Sequence, residues 1–116
     1  MKPAGDPETA VVVMTALPDP AAADRVAETL IEERLAACVT RIPGVRSTYR
    51  WKGSTEHTEE VLVLIKTRAV LAPVLCERLV AVHPYEVPEV LVLPAGGGYG
   101  AYMDWIVETT RSGEGE

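Results

Sequence analysis

The stretch VTRIPGVRSTYRWKGSTEHTEEVLVLIKT, residues 39–67, decides the fold. It begins as a strand, is interrupted by Pro43-Gly44, and resumes with alternation. Val45, Ser47, Tyr49 and Trp51 fall on one face and Arg46, Thr48, Arg50 and Lys52 on the other. A Pro-Gly pair inside a strand marks an edge strand with a bulge or bend, because proline brings no N–H to a ladder. Residues 52–60, KGSTEHTEE, turn the chain. Residues 60–67 are apolar at five successive positions from Val61 to Ile65, the pattern of a central strand covered on both faces. The two strands make a long hairpin.

Outward from the hairpin, the elements alternate. Upstream, residues 10–14 are a short β-branched run that reads as a buried strand, broken by LPDP. Asp19 then suits an N-cap with Pro20 at the first helical position. The helix that follows to about residue 36 gathers Ala23, Ala27, Leu30, Ile31 and Leu35 on one side. Downstream, Leu71, Leu75, Leu79 and Val82 recur at helical spacing, with Pro73 tolerable only in the first turn and the helix closing at His83. Residues 89–93 form a last short edge strand, PAGGGYG a loop, and residues 101–110 a final helix carrying Tyr102, Trp105 and Ile106 or Val107.

The order is therefore βαββαβ with an added C-terminal helix, an α+β, ferredoxin-like arrangement in a single domain over residues 9–111. Residues 1–8 and 112–116 read as flexible tails. Both central strands are apolar on both faces, yet two helices cover one face and the last helix is too short for the other. A second copy of the chain, packed sheet against sheet, is the economical cover.

Composition narrows the function. The chain has 116 residues, 47% hydrophobic, no Phe, and a net charge of −6 with its Lys and Arg scattered, which argues against nucleic acid or an anionic membrane as partner. No run approaches the ~20 apolar residues of a membrane span, and the first nine residues lack the pattern of a signal peptide, so a cytoplasmic location is expected. Cys38 and Cys76 lie far apart without a CxxC spacing and are expected as free thiols.

Chemistry concentrates in HPYEVP, residues 83–88, where two prolines hold the corner that carries His83, Tyr85 and Glu86. Cys38, His83 and Glu86 could supply a soft-metal site or a cysteine nucleophile. The plainer reading, Cys38 as a small buried hydrophobe and His83 as a favourable charge at a helix C-terminus, outweighs catalysis. GGGYGA, residues 96–101, has the outline of a dinucleotide loop but lacks the following strand and acidic residue. His57 falls among Glu56, Glu59 and Glu60, a solvated acidic patch or a weak metal site. Lys66 emerges at the end of a buried strand, where it either binds an anion or snorkels out of the core.

LIEERLAACVTRIPGVRSTYRWKG, EEVLVLIKT, HPYEVPEVLVLP and YMDWI together resemble the CutA family of divalent-cation tolerance proteins, from about residue 11 to residue 107. The resemblance implies a ferredoxin-like subunit in a homotrimer and a pocket near subunit boundaries; the residues themselves show no nucleophile motif, elbow or phosphate loop, so no enzymatic activity is expected. By motif its residues are Cys38, Trp51, Lys66, His83, Tyr85 and Glu86, with Trp105 nearby. It also implies tolerance of copper and other divalent cations, with Cu2+ or another divalent cation as an optional ligand rather than a required cofactor. In some members copper binding is attributed to a first-strand cysteine and a His-His pair. Thr15 and Val82 stand at two of those positions, which leaves His83 as a weak metal ligand. A different class, a signalling or scaffold trimer like the PII proteins with a small anion in an inter-subunit cleft, shares the fold. An enzyme built on Cys38 and His83 is a third.

Overall fold

The computed structural model describes residues 9–111, and both expected tails lie outside them. Strand β1 (Ala10–Leu17) leads to helix α1 (Pro20–Glu32), then to the hairpin strands β2 (Cys38–Trp51) and β3 (Ser54–Arg68). A 3₁₀ turn (Ala69–Leu71) opens helix α2 (Ala72–Val82), followed by strand β4 (Leu91–Pro94) and helix α3 (Gly100–Thr109). The sheet order is β2-β3-β1-β4 with every neighbour antiparallel, the ferredoxin-like arrangement.

Alternation along the central strands sorts the sheet into two faces. Val13 and Leu17 of β1, with Val61, Val63 and Ile65 of β3, are buried under Ala23, Val26 and Leu30 of α1 and Leu75 and Leu79 of α2. The even-numbered positions form the other face. There Met14 stands opposite Leu64 and Leu91, and Leu62 opposite Ala16 and Ile42. Helix α3 shields only one end of it, where Met103 and Ile106 cluster with Ala10 and Ala37. Ile42, Leu91 and Leu93 remain exposed, so the uncovered apolar face expected from the sequence is present in the single chain.

Helix α1 starts as the sequence predicts, with the Asp19 carboxylate accepting from the Ala22 N–H at 2.8 Å. It stops four residues before residue 36. Arg34 takes the left-handed conformation (φ 58°), while Arg34 N–H bonds to Ile31 C=O and Leu35 N–H to Leu30 C=O. This is the reverse turn that usually recruits glycine, so no residue announced it. Ile31 sits at the rim of the helix and is exposed rather than core, and Val26 takes the inner position.

The hairpin turn is only Lys52 and Gly53, both at positive φ, so residues 54–59 are strand and the arm is longer than the sequence suggests. His57 accordingly lies in β3 opposite Thr48, with its Nδ1 3.1 Å from Thr48 Oγ1. The expected irregularity at Pro43-Gly44 is a bulge between Ile42 and Val45, with Gly44 at φ 77°, on the edge strand. β4 begins at Leu91, two residues later than expected. On α3 it is Met103, Ile106 and Val107 that pack inward, while Tyr102 and Trp105 face out and stack on each other with ring centroids 5.6 Å apart.

Candidate functional site

The corner after α2 wraps the end of β1 and closes against the hairpin arm. His83 caps α2 in extended conformation (φ −77°, ψ 135°), as a residue before proline should, and its ring is buried at 8% exposure. Nε2 donates to the Ala16 carbonyl at 2.9 Å, with Thr15 Oγ1 at 3.2 Å, and Nδ1 accepts from the Tyr85 N–H at 3.2 Å. The tautomer is fixed by these partners. Burial pushes the His83 pKa down, against smaller upward pulls from the Ala16 carbonyl and Glu60, so the ring is held neutral.

Tyr85 stands beside it, ring centroids 5.0 Å apart, and its hydroxyl donates to Glu60 Oε2 at 2.7 Å. Burial, then the hydrogen bond to Glu60, pushes the phenol pKa far above the usual tyrosine value. Glu60 itself is buried, at 7% exposure. Between this pair and the arm lies a cleft of about 580 Å³ whose walls include Tyr49, Trp51, Glu60, Tyr85, Glu86 and Glu89. The bulge at Gly44 makes this possible. It shifts the register by one residue, so Tyr49 and Trp51 share the Glu60 side of the sheet.

Of the residues singled out from the sequence, Trp51, Tyr85 and Glu86 meet in this cleft and His83 lies beneath it. Cys38, Lys66 and Trp105 do not. Cys38 pairs with Lys66 at the opposite end of β3, and the Lys66 ammonium reaches Cys38 Sγ at 3.9 Å and the Thr40 hydroxyl. Tyr102, against which Trp105 stacks, has its pKa raised by burial and then by Cys38, which places the α3 aromatics at that end. From Ser54, opposite Trp51, to Lys66 is roughly 40 Å of strand at ~3.3 Å per residue. Cys38 and His83 are also on opposite faces, since Cys38 shares the Lys66 side and His83 bonds Thr15 on the helix side. A thiolate–imidazole pair does not form within one chain.

Copper would find a poor donor set. Both His83 nitrogens are engaged, Thr15 offers a hydroxyl where a soft ligand is needed, and among the described residues no group of three or more His, Cys, Asp or Glu could hold a metal ion. The residues present in one chain do not fit a copper site. Glu60, Tyr49 and Glu89 were missed from sequence, Glu60 because it was grouped with the acidic turn. Its signal was available: it directly precedes five buried-strand positions and shares parity with Leu62 and Leu64.

The chain was compared with known proteins. The family model described as CutA1 divalent ion tolerance protein matches residues 11–109. This chain belongs to the CutA1 family. The divalent-cation tolerance protein CutA of Thermus thermophilus is 46% identical over 99 residues, 85% of this chain and 96% of that protein. The CutA of Pectobacterium atrosepticum is 46% identical over 102 residues, 88% of this chain and 93% of the other. The crystal structure of CutA from Xylella fastidiosa superposes with a TM-score of 0.87 at 40% identity, covering 89% of this chain and 99% of that one. CutA1 relatives are named for tolerance of divalent cations rather than for a reaction, and this match does not favour the PII-like alternative. Among the described residues no helix is long and apolar enough to cross a membrane.

Proposed function

We propose that this CutA1 chain works as a cytoplasmic homotrimer in tolerance of divalent cations, copper among them, without enzymatic activity and without nucleic acid or membrane as partner. The observation that carries the reading is the uncovered apolar sheet face, on which a single chain leaves Leu91 and Ile42 exposed and Met14, Leu62 and Leu64 only half-buried. Burying it against copies of itself would remove that exposure and set the two separated halves of the motif, Trp51–Tyr85–Glu86 and Cys38–Lys66, near neighbouring copies. The two unpaired cysteines suit a reducing compartment.

Metal binding in this reading is weak, because a cation at His83 must displace the Tyr85 N–H from Nδ1. Light scattering should give about three times the 12.5 kDa chain mass, and a monomer would refute the assembly. Calorimetric titration with Cu2+ and Zn2+, wild type against His83→Ala, tests the ligand role: weak heats lost in the variant support it, and identical heats sink it.

A further inference from the structure

On the uncovered sheet face, an acid and a base each lack a partner of opposite charge among the described residues. Glu60 is 7% exposed, its Oε2 accepts from the Tyr85 hydroxyl, and no lysine or arginine pairs with it. Lys66 is half-buried, and its ammonium meets the Thr40 hydroxyl and Cys38 Sγ but no carboxylate. Charged groups withdrawn from water are ordinarily paired, because each leaves its hydration behind.

The two cannot meet within one chain. Both stand at even positions of β3 with Leu62 and Leu64 between them, so they project from the same face. The separation is about 20 Å of strand at ~3.3 Å per residue, beyond the joint reach of a glutamate and a lysine side chain. The face therefore carries an acid at one end, a base at the other, and an apolar strip between, widened by Met14 and Ile42 on the neighbouring strands. A closed ring of three copies joins two different patches at every interface, one from each copy. Opposite charges at the two ends of the strip suit that joint. Like ends brought together would oppose two carboxylates or two ammonium groups, so the charges also select the direction of the contact.

We propose that in the trimer the Lys66 ammonium of one copy pairs with the Glu60 carboxylate of the next, so that each cleft is completed by a residue of its neighbour. The inference rests on the trimer reading and adds to it the contact that sets the register of the ring. Cys38 and Thr40 travel with Lys66, which brings a thiol and a hydroxyl to the same wall as Trp51 and Tyr85.

The experiment is subunit exchange between unlabelled and nitrogen-15-labelled chains, followed by native mass spectrometry in enough urea for wild type to exchange over hours. Glu60→Lys and Lys66→Glu each set like charges together at every interface, and each should exchange at least about tenfold faster than wild type or fall apart to monomer. The two reversals in one chain restore opposite charges at every interface, and this variant should assemble and exchange at least about tenfold more slowly than either single reversal. Independent roles for the two residues within a chain would give no such rescue. Single reversals that exchange like wild type, or a double reversal no slower than the single ones, would overturn the pairing. If a charge-reversed chain does not fold by circular dichroism, Glu60→Gln, Lys66→Met and their combination decide. The combination should then exchange no faster than the faster single variant, and accelerations that multiply would overturn the pairing. Light scattering on wild type separates the two readings: a monomer refutes the trimer and the pair with it, whereas a trimer without rescue refutes only the pair.

Discussion

His83 is expected to hold the corner by staying neutral, and its removal should be costly. In His83→Ala, the bonds to the Ala16 carbonyl and from the Tyr85 N–H both disappear, at about 1 kcal/mol each. The cavity and the poorly solvated groups left behind add a similar amount, so the loss should be about 2–4 kcal/mol. The pH dependence has a definite sign. Burial depresses the folded pKa below the unfolded value of about 6.5, so at mildly acid pH the unfolded chain binds the proton more readily. The stability contributed by the neutral ring is complete above the unfolded pKa and is lost as pH falls through the folded one. The slope this adds cannot exceed about 1.4 kcal/mol per pH unit for one proton. Urea denaturation at fixed chain concentration, from pH 8 downwards (pH roughly 8 to 5), should show this slope in wild type and lack it in His83→Ala. His57→Ala, altered at an exposed strand position, should keep it. A His83→Ala stability within about half a kcal/mol of wild type, or an unchanged slope, would refute the reasoning.

Other outcomes follow from particular contacts. Asp19→Ala should lower stability by about 1 kcal/mol in thermal denaturation through loss of the Ala22 cap, and no change would show that the cap is idle. Leu64→Lys places an ammonium in the middle of the uncovered face and should convert the proposed trimer to monomer in sedimentation, whereas a trimeric variant would mean that another surface assembles. In an alkaline absorbance titration, Tyr85 should ionise well above the usual tyrosine range, and Tyr85→Phe should remove that late step.

The sequence carried the architecture because the architecture is written in periodicity. Five apolar residues from Val61, the helical spacing of Leu75 and Leu79, and Pro20 behind Asp19 each have one physical reading, and the strand order follows once the hairpin is set. The end of α1 was illegible, since Arg34 occupies a backbone conformation that sequence assigns to glycine. The site was half legible. Proline geometry marked the corner and placed His83 at the helix end, but one-dimensional spacing cannot tell which strand end a residue reaches. Cys38 and Trp51 belong to the same strand, yet thirteen positions of extended backbone separate them. Glu60 escaped notice because its neighbours in sequence are acidic and solvated, while its neighbours in space are Tyr85 and the sheet.

The bulge at Gly44 is where the arm absorbs one residue more than its partner strand. Residues 43 and 44 together stand opposite Val61, between the pairs Ile42–Leu62 and Val45–Glu60. Beyond it, odd positions face the cleft and bring aromatic rings, while the even positions carry Arg46, Arg50 and Lys52. Deleting Gly44, a single codon, would straighten the strand and leave Val45 opposite Glu60 with the rings on the same face. Deleting one residue further along, Arg46 for example, with the bulge kept, would instead turn Tyr49 and Trp51 away and bring Arg50 toward the cleft. The loss of one residue is thus silent at the bulge and decisive a few positions beyond it.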